Sequence, residues 1–165
     1  MRQTKQKKQD DMDRVMVESP VGRLVITASC GAVCSIGLMS DGETALPEKG
    51  SAQPVLAQAA REITEYFSGS RKAFTFEMRA AGTPFQKSVW AALLEIPFGE
   101  TKTYGEIAKR VDNPKGSRAV GMACNKNPII IAVPCHRVVG AGGALTGYAY
   151  GTGMKQTLLE LERRT

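Results

Sequence analysis

The chain has one histidine, one tryptophan and four cysteines among 165 residues, and each scarcity removes possibilities. With His136 as the only imidazole and no C-x-x-C pair among Cys30, Cys34, Cys124 and Cys135, a structural zinc site is short of ligands, and neither metal nor cofactor is expected. In a reducing compartment all four thiols should be free, with Cys30 and Cys34 sitting on strands as small core residues. No apolar run approaches the ~20 residues of a membrane-spanning helix. The opening MRQTKQKKQDDMDR lacks the apolar stretch of a secretory signal, so a cytoplasmic protein without a membrane partner is expected. Internal repeats and low-complexity blocks are also missing.

What is present suits one compact domain or two small lobes, because 42% hydrophobic content is enough for an ordinary core. The net charge of +6 is uneven: residues 1–80 carry 11 Lys and Arg against 10 Asp and Glu, and residues 81–165 carry 11 against 6. A basic C-terminal half fits a polyanion such as DNA, and it equally fits a solvated basic face.

The pattern predicts an α+β fold in three stretches. Residues 1–13 form a charged, disordered tail without periodicity, residues 14–80 an α/β lobe, and residues 81–165 a mainly helical domain containing a helix-turn-helix. In the first lobe VMVES, RLVITAS and AVCSIGLM read as a small antiparallel sheet punctuated by Pro20, Gly22 and Gly31. PVLAQAAREITEYFSG reads as an amphipathic helix with Pro54 in its first turn, Leu56, Ala59, Ala60, Ile63 and Phe67 inward, and a stop at Gly69. AFTFEM adds an extended segment, and RAAGT is a linker.

In the second domain Thr83 can cap a helix in which Phe85, Val89, Ala92 and Ile96 recur at helical spacing until Pro97. Thr103 and Glu106 match a capping box for a short helix through Arg110, and Ser117 to about Asn125 forms a second helix beyond the Asn113–Pro114 turn. That second helix carries Ala119, Gly121 and Ala123, small residues that allow either close packing on a neighbouring helix or insertion into a nucleic-acid groove with Arg118 projecting. The run IIIAV is a buried strand or extended segment leading into PCHRV. There Pro134 fixes a bend and Cys135 stands beside His136. A thiol with an imidazole usually makes a nucleophile, yet side chains at consecutive positions do not face each other, so the pair needs a bridging water or an unusual turn. The glycine-rich GAGGALTGYAYGTG reads as a binding loop before a final helix, MKQTLLELERR.

Taken together, TPFQKSVWAALLEIPFGETKTYGEIA, SRAVGMACNKNP, IAVPCHRVVG and LTGYAYGTGMKQTLLELE resemble the C-terminal domain of the 6-O-alkylguanine-DNA alkyltransferases, direct-reversal DNA repair proteins whose signature is PCHRV. SPVGRLVITAS extends the resemblance weakly into the first lobe. The resemblance implies irreversible transfer of an alkyl group from guanine, with 4-O-alkylthymine as a further candidate substrate, to Cys135 in a single turnover after base flipping. His136 would take the thiol proton through a water, Glu162 would orient His136, and Asn127 would tie the helix-turn-helix to the active-site segment. Tyr104 would help the purine leave and favour rotation of a DNA phosphate. Arg118 would fill the place of the flipped base, with Ser117, Ala119 and Gly121 along the same helix facing DNA. Val138, Tyr148 and Ala149 would form the substrate pocket. The implied partner is double-stranded DNA containing alkylated bases, approached from the minor groove by a monomer. Tyr150 and Gly151 stand where relatives commonly have two small residues, and Thr157 stands where an aromatic is frequent, which alters the pocket rim. Two other readings compete: a non-catalytic helix-turn-helix damage sensor or regulator, which the presence of Cys135 disfavours, and a cysteine hydrolase, which would turn over repeatedly.

Overall fold

The computed structural model describes residues 12–43 and 53–165, which divide into two compact units on either side of Ala80 and Ala81. The expected tail lies outside the described residues up to position 11; Asp13 already belongs to the first strand.

The first unit is a three-stranded antiparallel sheet of β1 (Asp13–Val17), β2 (Leu24–Ser29) and β3 (Ala32–Leu38), in that spatial order. Leu24, Ile26 and Ala28 alternate along β2 and are fully buried, because successive side chains of a strand point to opposite faces. The β2–β3 hairpin corrects the cysteine expectation. Its two turn residues, Cys30 and Gly31, both have positive φ (50° and 77°), as a two-residue hairpin that follows the strand twist requires. Cys30 is therefore drawn out of the strand and exposed, and Cys34 is only half-buried. Helix α1 (Pro54–Phe67) covers the sheet with Val55, Leu56, Ala59, Ile63 and Tyr66, whereas Ala60 and Phe67 lie at the rim. Glu62 is also on the buried face, where it accepts hydrogen bonds from the Thr75 amide, the Thr75 hydroxyl and Gln58. The AFTFEM segment makes only one parallel bridge, between Val33 and Met78.

The second unit begins with α2 (Pro84–Leu94), closed by a Thr83–Gln86 capping box. Ile96 lies past its end and is still buried. Next come β4 (Lys102–Thr103), α3 (Tyr104–Arg110) with its Thr103–Glu106 capping box, and α4 (Ser117–Asn125). Gly116 begins α4 where any Cβ would collide with the Asn113 side chain, so glycine is what permits the tight turn. The indole nitrogen of Trp90 donates to the Ala123 carbonyl at 2.9 Å and fixes α2 against α4. β5 (Val138–Val139) pairs in parallel with β4, and α5 (Thr152–Arg164) completes the chain.

The run IIIAV is not a strand. Ile131 has φ 72°, the Ala132 amide donates to Ile130 and the Val133 amide to Ile129, so the segment winds through successive turns with all five side chains buried. Complete burial produces the same unbroken apolar run whether the chain is extended or coiled. Among the described residues no helix is long and apolar enough to cross a membrane.

Candidate active site

Those turns deliver Cys135, His136 and Arg137 as one 3-10 turn, with relative exposures of 4%, 0% and 7%. Asn127, at the end of the helix-turn-helix, holds the approach. Its Nδ2 donates to the Val133 carbonyl at 2.8 Å and to Cys135 Sγ at 3.2 Å, while its Oδ1 accepts from the Ile129 amide at 3.0 Å. One side chain thus satisfies a buried backbone donor and acceptor and touches the thiol. Burial pushes the Cys135 thiol above its ordinary value, and the hydrogen bond from Asn127, the charge of Lys155 and the Tyr148 hydroxyl pull it back toward thiolate.

Among the described residues no hydrogen bond joins Cys135 to His136, consistent with their being neighbours in sequence. The imidazole is oriented from behind: its Nε2 lies 2.7 Å from Glu162 Oε1 on α5, and its Nδ1 is buried without a protein partner. Burial of Glu162 opposes ionisation, but the hydrogen bonds from His136 and Arg137 prevail and bring its pKa down to about 2. An ionised carboxylate accepts only, so Nε2 carries the hydrogen and Nδ1 presents a lone pair. Burial holds His136 below its ordinary value despite Glu162, which keeps the imidazole neutral at physiological pH. A neutral, oriented base one residue from a thiol can accept its proton through one water.

Two buried cations complete the cluster, and neither is among the residues picked out in the sequence. Arg137 donates from Nε to Glu162 Oε2 at 2.9 Å, from Nη2 to Oε1 at 3.0 Å, and from Nη1 to the Ile96 carbonyl at 2.7 Å. Lys155 is fully buried on α5; its Nζ donates to the Thr146 carbonyl at 3.1 Å and to the Tyr104 hydroxyl at 3.4 Å, 5.6 Å from that ring's centroid. Burial lowers the Lys155 pKa, while the nearby Cys124 and Cys135 favour its charge. Cys124 is a second buried thiol, pushed up to about 12 by desolvation and by Cys135.

Four of the remaining predicted residues, Tyr104, Ser117, Arg118 and Gly121, meet at a groove of about 290 Å³ that is also lined by Asn125, Thr146 and Gly147. Ser117 and Arg118 are exposed. The Tyr104 hydroxyl donates to the Thr146 carbonyl at 2.9 Å, latching the glycine-rich loop to α3. Burial, with the two cysteines nearby, raises the Tyr104 pKa to about 12, so the phenol keeps its proton at neutral pH. Ala119 does not line this groove, nor do Val138, Tyr148 and Ala149. Val138 is buried in the β4–β5 pair, Tyr148 is half-buried with its ring 6.2 Å from that of Tyr150, and Ala149 is exposed on the loop. Among the described residues no group of three metal-ligating side chains comes together.

Comparison with known proteins covers both units. Residues 84–164 match the family model described as "6-O-methylguanine DNA methyltransferase, DNA binding domain", and residues 14–80 match "6-O-methylguanine DNA methyltransferase, ribonuclease-like domain". A methylated-DNA--protein-cysteine methyltransferase of Methanosarcina acetivorans is 48% identical over 148 residues, covering 88% of this chain and 94% of that one. The crystal structure of Mycobacterium tuberculosis O6-methylguanine methyltransferase superposes with a TM-score of 0.81 at 39% identity, covering 93% of each chain. A structure of the M. tuberculosis protein in complex with DNA superposes at 0.80 with 39% identity, covering 90% of this chain and 91% of that one. With both units matched in order and a cysteine-centred site in the second, the chain belongs to the 6-O-methylguanine DNA methyltransferase family.

Proposed function

We propose that the protein repairs DNA directly, moving the alkyl group of a 6-O-alkylguanine onto Cys135 Sγ, once per chain. The observation that carries this reading is a buried thiol held by Asn127 beside a neutral histidine whose free lone pair is set by an ionised glutamate. Thiolate is the soft nucleophile that displacement at an alkyl carbon calls for. The thiol proton passes through a water to His136 Nδ1, leaving imidazolium paired with Glu162. The new S–C bond forms as the C–O bond breaks, and the purine leaves with that electron pair. Tyr104, still protonated, lies at the groove to give the departing purine a proton, and Lys155 at its oxygen stabilises the phenolate that results.

A base inside a duplex must be extruded to reach a buried thiol. The α4 face with Gly121 and the exposed Arg118 suits a minor-groove approach, in which small residues let the backbone come close and the arginine occupies the vacated stack. An intact-mass measurement after incubation with methylguanine-containing duplex tests the whole. The expected result is one added methyl on Cys135 per chain, absent in Cys135→Ala, which still binds DNA. No mass change would leave a non-catalytic sensor, and many turnovers per chain would leave a hydrolase.

A further inference from the structure

Glu162 is shared. Its Oε1 takes both His136 Nε2 and Arg137 Nη2, and its Oε2 takes Arg137 Nε and the Gly99 amide at 3.2 Å. Arg137 supplies two of these four donors and is fixed in place by the Ile96 carbonyl and by Phe98, whose ring centroid lies 5.7 Å from the guanidinium carbon. An ionised carboxylate facing His136 alone would raise the proton affinity of the imidazole, because a nearby opposite charge favours the charged form of a titratable group. An imidazolium has no lone pair left to accept a thiol proton. The guanidinium supplies the countercharge Glu162 needs, and it makes a second positive charge on the same carboxylate unfavourable.

We infer that Arg137 is a positioning residue for alkyl transfer: it neutralises Glu162 so that the carboxylate orients His136 without holding a proton on it. This rests on the reading of Cys135 as the acceptor. The charged groups acting on His136 are Glu162 and Lys155 from α5 and Arg137 from its own turn. Helix α2, which also packs against the turn, buries only Val89, Trp90, Ala92 and Leu93, none of them charged. The direction of the Arg137 influence on His136 agrees: it lowers the basicity of the imidazole, whereas Glu162 raises it.

Because the chain has one histidine, the imidazole C–H signals in a 1H–13C NMR spectrum belong to His136 without further assignment. Arg137→Met and Arg137→Lys are titrated by NMR, and their alkylation rate constants with benzylguanine are measured across pH in parallel. The His136 midpoint is expected to rise in Arg137→Met and to rise less in Arg137→Lys, which keeps the charge and loses the fork. The acid limb of the rate profile should move with it, giving at least about a tenfold loss at pH 6 but only a few-fold loss at pH 8.5. A merely structural role predicts an unmoved midpoint and an equal loss at every pH, and that result overturns the inference. Should Arg137→Met fail to fold, Arg137→Gln, which keeps hydrogen-bond donors and loses the charge, carries the test, and an unmoved midpoint there is equally fatal. Failure of wild type to alkylate at all would instead sink the proposed reaction, since the NMR titration needs no substrate.

Discussion

Replacing Glu162 by glutamine removes one charge and almost no volume, and its cost can be worked out in two ways. The carboxyl stands at about 2 in the fold against an ordinary 4.5, a gap of about 2.5 units and so about 3 kcal/mol of stability at neutral pH. Breaking a buried ion pair by removing one partner costs about 3–5 kcal/mol, because the other charge is stranded, here Arg137 at 7% exposure. The two routes agree, and the glutamine variant should lose about 3 kcal/mol at pH 7. A carboxylate with a depressed folded pKa stabilises above its unfolded value and loses that contribution as pH falls toward the folded one. Between pH 5 and pH 3 the gap between wild type and variant should therefore narrow by about 2 kcal/mol. Trp90 makes the measurement local: it is the only tryptophan, it is buried at 4% exposure in the second unit, and its fluorescence during urea unfolding reports that unit alone. A gap under about 1 kcal/mol at pH 7, or the same gap at pH 5 and pH 3, would refute the reasoning.

Arg118→Ala should slow repair of a paired methylguanine far more than reaction with free benzylguanine or a mismatched lesion, since unpairing costs a few kcal/mol that the latter avoid; equal losses on all three, measured by quenched-flow alkylation, would place Arg118 in the fold. Lys155→Met removes a buried cation close to both thiols and to the Tyr104 oxygen, so the Cys135 thiol pKa should rise and alkylation at pH 7 should fall about tenfold or more. Titrating thiol reactivity toward a small electrophile checks this, and an unshifted profile would count against any electrostatic part for Lys155.

The elements with sharp local chemistry were readable in the sequence. Thr83, and Thr103 with Glu106, cap helices that begin where those residues say, because a cap satisfies orphan donors using only neighbouring residues. Turns set by long-range burial were harder to read. IIIAV looks like a strand because three consecutive isoleucines carry no alternation, and only Asn127 reaching over to Val133 and Cys135 shows why the chain coils. Cys30 was misplaced because positive φ in a hairpin usually selects Asn, Asp or Gly. Lys155 and Glu162 pass for surface charges, since buried lysine and glutamate are rare. A signal was nonetheless present. Met154, Leu158 and Leu159 define the inward face of α5, and Lys155 and Glu162, seven apart, fall on that same face. Arg137 offered no such signal, because its partners, Ile96 and Glu162, lie 41 and 25 positions away in the chain.

A protein spent by its own reaction has a shelf life, and the burial of Cys135 sets it. Every stray electrophile or oxidant that reaches the sulfur wastes a whole chain and leaves one lesion standing. At 4% exposure and with its thiol held toward the protonated form, the sulfur is shut away from bulk solutes, and the Tyr104 phenol holds the adjacent loop in place. Inertness while waiting and reactivity once engaged are thus properties of one arrangement: the features that slow the thiol in the resting protein preserve each copy for the base it was made to meet.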